Sequence, residues 1–224
     1  MNADAPAVIA ELDPFARFRH IVVEGPIGAG KTSLANRLAD RFGAARLLED
    51  ARANPFLERF YRDVPRHALA TQLSFLLQRT AQLRALAQRD AFAQPAVGDF
   101  LLDKDPLFAR LTLPDDEFAL YRQVLEALAP HAPVPDLVIY LQAPPQALVE
   151  RVRGRGDPIE APMAPDYLHA LSDAYSEFFH HYDAAPLLIV NTAHLNPAAS
   201  DEDLAILLRH VQGMRGRREF FGRG

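Results

Sequence analysis

The chain has 224 residues, of which 49% are apolar and 24% charged, a composition typical of one large soluble globular domain. No stretch approaches the roughly 18 consecutive apolar residues of a membrane span, and the first residues are acidic, so we expect neither a membrane segment nor a secretory signal. The absence of cysteine excludes thiol catalysis and favours the cytoplasm, and a net charge of −5 argues against a nucleic-acid partner.

Short apolar segments alternate with amphipathic ones along the chain. Residues 1–18 lack periodicity and are interpreted as an N-terminal arm of the single domain 1–224. Strands are predicted at 20–24, 46–48, 95–101, 136–142 and 187–192. Helices are predicted over 33–42, 65–89, 115–128, 145–153 and 166–182. Residues 213–224 are arginine-rich and are interpreted as a solvated basic tail. This alternation predicts a three-layer α/β sandwich with a five-stranded parallel sheet flanked by helices.

A glycine-rich turn between the first strand and the first helix matches the phosphate-loop pattern G-x-x-x-x-G-K-[ST]. Backbone N–H groups of such a loop, together with the helix N-terminus, bind phosphate oxygens. We expect Lys31 to neutralise the β- and γ-phosphates and Thr32 to ligate Mg²⁺. The pattern predicts a P-loop NTPase, a class that includes switch GTPases, motor ATPases and small-molecule kinases. The predicted nucleotide site comprises Gly25, Pro26, Ile27, Gly28, Ala29, Gly30, Lys31, Thr32 and Ser33.

Two acids stand at or near the ends of predicted strands. Glu49 follows the second strand and Asp99 lies in the third. Ligands of open parallel sheets bind beyond the carboxyl ends of the strands, so both acids could face the phosphate loop. One could accept a proton from an attacking hydroxyl and the other could hold a metal. Helix N-caps or solvated loop residues remain the alternative at both positions.

The motifs, taken in order, resemble the deoxyribonucleoside kinase family, including the bacterial deoxyadenosine and deoxyguanosine kinases. The resemblance extends from about residue 20 to residue 195. Besides the phosphate loop and Glu49, it rests on segments 54–57 with Tyr61, 71–73 with Arg79, 99–109, 135–141 and 150–160.

The resemblance implies a role for each matching residue. Glu49 matches the general base that accepts the proton of the deoxyribose 5′-hydroxyl, and Tyr61 and Glu160 match the pair that binds the 3′-hydroxyl. Gln72 matches the glutamine that binds the nucleobase edge, and Arg79 lies two turns further along the same helix face. Each residue alone also fits an exposed or packing role, and only the ordered set favours a site.

The phosphate side of the site is implied in the same way. Asp99 takes the place of the acid that helps to hold Mg²⁺, beside Thr32. Arg151 and Arg155 match lid arginines that close over the phosphates and stabilise charge during phosphoryl transfer.

The chain departs from the family pattern at two positions. Many members carry arginine directly after the acid of the third strand, where this chain has Phe100, and the lid often has a further arginine where Asp157 stands. Lys104, one of only two lysines, is a candidate for the missing cation. Asp105 is a candidate for selecting the nucleobase.

These observations predict an enzyme that transfers the terminal phosphate of ATP, or of another NTP, to the 5′-hydroxyl of a deoxyribonucleoside, with Mg²⁺. The resemblance favours a purine deoxynucleoside, with deoxycytidine left open, and implies a homodimer. The first alternative is a nucleoside-monophosphate kinase. Such an enzyme needs a cluster of cations for the acceptor phosphate, and Arg79 alone provides little for it. A non-catalytic nucleotide-binding subunit is the second; Phe100 and Asp157 favour it, whereas the intact phosphate loop and Glu49 disfavour it.

Overall fold

The computed structural model describes residues 12–89, 93–128 and 132–222. Within these ranges the strands form one parallel sheet in the order β2–β3–β1–β4–β5–β6. The strands are β1 (His20–Glu24), β2 (Ala45–Leu47), β3 (Ala96–Gly98), β4 (Leu137–Gln142), β5 (Leu187–Asn191) and β6 (Arg218–Phe221). The α-helices are α1 (Lys31–Phe42), α2 (Leu57–Arg62), α3 (Val64–Ala87), α4 (Asp105–Thr112), α5 (Asp115–Leu128), α6 (Pro145–Arg155), α7 (Pro165–His181) and α8 (Asp201–Gly213).

Helices cover both faces of the sheet, because its central strands are apolar on both sides. On one face, side chains of α1 and α8, such as Leu34 and Leu208, pack on Ile21 of β1. On the other face, Tyr175 and Phe179 of α7 stack on the ring of Tyr140 in β4. The predicted three-layer α/β fold with a parallel sheet is confirmed.

The sheet has six strands, so the prediction of five is wrong. The additional strand, β6, lies within the segment interpreted as a solvated tail and pairs Phe221 with Val190 of β5. Its arginine is not free in solvent, because the Arg218 guanidinium donates to the carbonyl oxygen of Phe179 at 2.6 Å and to that of Tyr182, where α7 ends. Mixed polar and apolar residues are typical of an edge strand, which is why the segment resembles a tail. Residues 223–224 lie outside the described residues.

The chain before β1 also contacts the core. Phe15 and Phe18 are buried against the α1–α8 face of the sheet, and Arg17 donates to the carbonyl oxygen of Met214 at 2.6 Å. Residues 1–11 of the segment interpreted as an arm lie outside the described residues.

Helices α2–α5 form a group of their own beside the sheet. It shares an apolar core in which Phe60, Leu76, Ala109 and Tyr121 of α2–α5 are buried. Here α3 buries Gln72 and Arg79 together with Leu76 and Leu83, whereas Leu77 of the same helix is 55% exposed. Because the polar face of α3 looks inward, it forms one wall of a cavity. In the described part of the chain, every helix is too short or too polar to cross a bilayer.

Candidate active site

A cavity of about 380 Å³ opens at the carboxyl edge of the sheet, between the phosphate loop, the ends of β2 and β3, and α3. It brings together many of the residues singled out from the sequence. They are Ile27, Gly28, Gly30, Lys31, Thr32, Ser33, Glu49, Tyr61, Gln72, Arg79, Asp99, Lys104, Arg155 and Glu160.

The phosphate loop has the conformation that its glycines permit. Gly25 has φ 153°, and a Cβ atom at this position would lie 2.6 Å from the carbonyl oxygen of Leu141 in β4. Gly30 begins α1 in the left-handed region at φ 97°. Lys31 folds back over the loop and donates from Nζ to the carbonyl oxygen of Pro26 at 3.2 Å. Burial, followed by the charge of Lys104, lowers the pKa of Lys31. The loop therefore presents a partly desolvated cation to the cavity.

Glu49 is bound to Arg79 through only one of its two carboxylate oxygens. Arg79 Nε donates to Glu49 Oε2 at 2.7 Å, and Nη2 donates to the same oxygen. Burial alone would raise the pKa of Glu49, but the nearby cations Arg79, Lys104 and Lys31 outweigh it and the pKa is lowered. Glu49 is thus an ionised carboxylate at the cavity wall, and no hydrogen bond among the described residues occupies its Oε1.

Arg79 is in turn shared with Asp105, which lies behind it and does not line the cavity. Arg79 Nη1 donates to Asp105 Oδ1 at 2.5 Å, and both side chains are almost fully buried. Burial raises the pKa of Asp105 to about 6 despite the adjacent guanidinium. Two acids and one arginine therefore form a chain, Glu49–Arg79–Asp105, in which Glu49 and Arg79 line the cavity and Asp105 lies behind them.

Asp99 joins the end of β3 to both the phosphate loop and β2. Its Oδ2 accepts a hydrogen bond from the Thr32 hydroxyl, and its Oδ1 accepts one from the backbone N–H of Glu49 at 2.8 Å. Burial raises the pKa of Asp99, although these two hydrogen bonds oppose the shift. Asp99 Oδ2 and the adjacent Thr32 hydroxyl oxygen fit Mg²⁺, which is usually held by one or two protein ligands together with phosphate and water oxygens. Within the described ranges no set of three or more histidines or acids could enclose a metal.

Tyr61, Glu160 and Arg155 meet on the side of the cavity opposite the sheet. Arg155 Nη1 donates to both carboxylate oxygens of Glu160, at 2.9 and 3.2 Å. Burial first, and then the neighbouring Tyr167 and Glu160, raises the pKa of Tyr61, so its hydroxyl stays protonated. A hydroxyl donor and a carboxylate acceptor therefore stand together, which suits a sugar hydroxyl.

Aromatic side chains that the sequence reading did not single out complete the cavity. Phe75 lies on α3 between Gln72 and Arg79, one turn from each, and this helical spacing was the available signal. Flat apolar walls with one amide at the edge suit a planar heterocycle. Further lining residues missed by the sequence reading are Ala51, Leu57, Phe60, Thr71, Phe108 and Tyr167.

Arg151 does not line the cavity. Its guanidinium donates to the carbonyl oxygen of Thr192 at 3.0 Å and to the hydroxyl of the same residue at 3.3 Å. It therefore ties α6 to the residue that follows β5, whereas Arg155, one turn further along the same helix, lines the cavity.

The two departures from the family pattern have different surroundings. Phe100 is buried in the apolar core of the α2–α5 helices, so it supplies no polar group to the cavity. Asp157 also lies off the cavity lining; it accepts a hydrogen bond from the Ile159 N–H at 2.9 Å and one from Arg52 at 3.1 Å. Asp157 thus links the segment after α6 to the segment after β2 and does not face the phosphate loop.

Comparisons with known proteins identify the family of the chain. The family model of deoxynucleoside kinases matches residues 21–212. Deoxyguanosine kinase of Bacillus subtilis is 34% identical over 158 residues, 69% of this chain and 75% of that protein. Deoxyadenosine kinase of Lactobacillus acidophilus is 30% identical over 185 residues, 76% of this chain and 84% of that protein. The structure of deoxyadenosine kinase from M. mycoides with bound dCTP shares the fold, with a TM-score of 0.74 at 22% identity over 87% of this chain and 100% of that one. The chain is therefore a member of the deoxynucleoside kinase family.

Proposed function

We propose that the protein transfers the terminal phosphate of ATP, or of another NTP, to the 5′-hydroxyl of a purine deoxyribonucleoside in the cytoplasm. The observation that carries the proposal is the placement of Glu49, an ionised carboxylate with one oxygen bound to Arg79 and the other open, in the same cavity as the phosphate loop. A carboxylate held in this way can orient and deprotonate an alcohol next to a bound triphosphate.

The reaction that we propose is a single in-line transfer. The 5′-oxygen of the nucleoside attacks the γ-phosphorus, its proton passes to Glu49 Oε1, and the bond to the bridging oxygen breaks, leaving its electron pair on ADP. Of the two Glu49 oxygens, Arg79 donates only to Oε2, so it fixes the direction of the carboxylate without occupying the oxygen that takes the proton.

The donor nucleotide is proposed to bind on the phosphate loop. Lys31 would leave the Pro26 carbonyl oxygen and contact the β- and γ-phosphates, and Arg155 would approach from the lid. Arg151, bound to Thr192, keeps α6 in place in the structure and remains a proposed lid arginine. Mg²⁺, held by Asp99 and Thr32, would neutralise phosphate charge when the donor is bound.

The acceptor is proposed to lie between α3 and the segment 155–160, which carries Arg155 and Glu160. Tyr61 and Glu160 would bind the 3′-hydroxyl, while Gln72 would contact the base edge above the ring of Phe75. The preference for a purine rests on the relatives, which are named for deoxyguanosine and deoxyadenosine. Asp105 would act on the base only through Arg79, because it lies behind that residue.

The charge of the cavity argues against a monophosphate acceptor. An acceptor phosphate requires cations of its own. Among the described lining residues, Arg79 is paired with Glu49 and Asp105, Lys104 with Glu24, and Arg155 with Glu160. Lys31 is the fourth, and the donor phosphates would draw on Lys31 and Arg155, so an acceptor phosphate would find no cation of its own among the described lining residues.

We also propose that two copies pair through α4 and α7. An open groove of about 700 Å³ between these helices is lined mainly by apolar side chains, including Leu107, Leu111 and Phe178. Leu111 is 38% exposed in the single chain, and a second copy would cover it. Light scattering should give the mass of a dimer, and Leu111→Asp should give that of a monomer.

The test of the function is a substrate panel. The purified protein is incubated with Mg-ATP and each of the four deoxynucleosides or their monophosphates, and release of ADP is followed. Turnover with a deoxynucleoside supports the proposal, and the base that gives the highest kcat/KM identifies the substrate. Turnover with monophosphates alone would select the first alternative, and absence of turnover with nucleotide binding retained would select the non-catalytic one.

A further inference from the structure

A second cation stands beside the phosphate loop, on a buried network that the proposed mechanism does not use. Lys104 Nζ donates to the Tyr175 hydroxyl at 3.2 Å and lies 3.4 Å from Glu24 Oε1. Tyr175 in turn donates to Glu24 Oε1 at 3.0 Å. All three side chains are buried, yet Lys104 lines the cavity.

Glu24 is held in place before Lys104 is considered. It ends β1, and its carboxylate accepts from the N–H of Gly25 at 2.9 Å and from that of Leu101 at 2.7 Å, besides the Tyr175 hydroxyl. The N–H groups belong to the phosphate loop and to the segment after β3. A carboxylate fixed by three neutral donors has little freedom, so it fixes the cation paired with it.

The ammonium group of Lys104 belongs to a residue that lines the cavity. An ammonium has three N–H donors, and among the described residues Tyr175 and Glu24 account for two of them, so one remains for a ligand. The ring of Phe108 lies 4.7 Å from Nζ and excludes water on one side. Lys104 is close enough to lower the pKa values of both Glu49 and Lys31 by its charge. Its field therefore acts on the space between the proposed base and the phosphate-loop lysine.

The neighbouring strand end supplies no cation of its own. Asp99 is followed by Phe100, whose ring is 3% exposed in the helical core. Lys104 follows five residues after Asp99, at the end of the 3₁₀ turn formed by Leu102–Lys104, and it lines the same cavity as Lys31.

We propose that Lys104 is a second catalytic cation, which binds the oxygens of the transferring phosphoryl group beside Lys31, and that Glu24 and Tyr175 are its positioning residues. The inference rests on the proposed function. The proposal explains why Lys104 is buried close to Lys31. Two neighbouring buried cations are unfavourable until an anion binds to them.

The competing explanation is that Lys104 only neutralises buried Glu24. A paired substitution separates the two. Lys104→Met leaves Glu24 uncompensated, so both roles predict a lower midpoint of urea unfolding. In the double variant Glu24→Gln with Lys104→Met, the charge imbalance is absent and the folding midpoint should recover toward that of the wild type.

The expected result is that folding recovers in the double variant but kcat does not. We expect kcat to be at least about 10²-fold below the wild type in both variants, with ATP affinity changed by less than about threefold. Lys104→Arg should retain more kcat than Lys104→Met. Arg122→Met, which removes an exposed cation paired with Glu126 on α5, is the matched control and should leave kcat unchanged.

Recovery of kcat together with folding in the double variant would overturn the inference, as would an unchanged kcat in Lys104→Met. Tyr175→Phe is the second check, because it keeps the ring and removes only the hydroxyl that holds Lys104; it should lower kcat more than it shifts the unfolding midpoint. If the wild type and Lys104→Met turn over deoxynucleosides equally well, this inference is refuted while the proposed function stands. A wild type without turnover on any acceptor would refute the proposed function and this inference with it.

Discussion

Arg79 holds Glu49 by a single carboxylate oxygen, and this one-sided contact separates positioning from proton transfer. A guanidinium that bound both oxygens would compete with a substrate hydroxyl. Because both N–H groups converge on Oε2, the carboxylate stays ionised and oriented, while Arg79 leaves Oε1 of this cavity-lining residue unoccupied. Asp105 contributes by fixing the other side of the same guanidinium.

Replacing Glu49 with Gln should lower kcat by about 10²-fold or more, because an amide cannot accept the proton of the 5′-hydroxyl. The affinity for ATP should stay unchanged, since the phosphate loop is intact. Steady-state kinetics and calorimetry measure the two quantities. Glu58→Gln is the control, because Glu58 pairs with Arg62 on the surface of α2. A Glu49→Gln enzyme with wild-type kcat would rule out Glu49 as the base.

Replacing Asp105 with Ala should destabilise the fold by about 3 kcal/mol, because the buried Arg79 guanidinium loses one of its two anionic partners. Urea unfolding at pH 7 measures the change in the free energy of unfolding. Asp115→Ala removes the exposed partner of Arg110 and should have no measurable effect. Equal stability of the two variants would contradict a structural role for the chain Glu49–Arg79–Asp105.

Replacing Lys31 with Ala should weaken ATP binding by about 10- to 100-fold, the effect of losing one charge-assisted contact to phosphate. Calorimetric titration with Mg-ATP measures the affinity. Arg66→Ala, which removes an exposed cation near the start of α3, should leave it unchanged. Unaltered affinity in Lys31→Ala would count against the phosphate-loop assignment.

His20 should make folding stability depend on pH below neutrality. Burial lowers its pKa from 6.5 to about 4, although Asp136 opposes the shift, and its Nδ1 has no hydrogen-bond partner among the residues that the structure describes. The unfolded chain therefore binds a proton between pH 6.5 and 4 that the folded chain does not. The resulting stabilisation is complete above pH 6.5 and falls as the pH drops toward 4, by up to about 3 kcal/mol.

Unfolding midpoints between pH 4 and 7 test this assignment. His20→Phe should show a shallower loss of stability toward acid than the wild type. His194→Gln, at an exposed histidine, should follow the wild-type curve. Parallel curves for His20→Phe and wild type would show that another group is responsible.

The central strands and the phosphate loop were predictable because each carries a strong local pattern. β4 and β5 are apolar on both faces, and the loop combines its glycines with Lys31 between a strand and a helix. β6 was missed because an edge strand contacts the core on one side only, so Arg218 and Glu219 carry no strand signal. Helix α8 was missed although Ser200 caps it by accepting from the N–H of Asp203.

The inward face of α3 and the anchor of Lys104 could not be read from spacing. Periodicity predicts that the leucines of α3 are buried, which holds for Leu76 and Leu83 but not for Leu77. It carries no signal that Gln72 and Arg79 are buried as well. Glu24 looks like one polar residue at the end of an apolar strand. Its partners Leu101 and Tyr175 lie 77 and 151 residues away along the chain, and only the folded chain brings them together.

The ion pair between Arg52 and Asp157 joins the segment after β2 to the segment after α6, and the Arg52 side chain is 76% exposed. A contact so open to solvent is screened by dissolved ions and is readily broken. The segment after α6 is therefore joined to the segment after β2 by a weak contact that is sensitive to salt, and this contact should loosen as ionic strength rises.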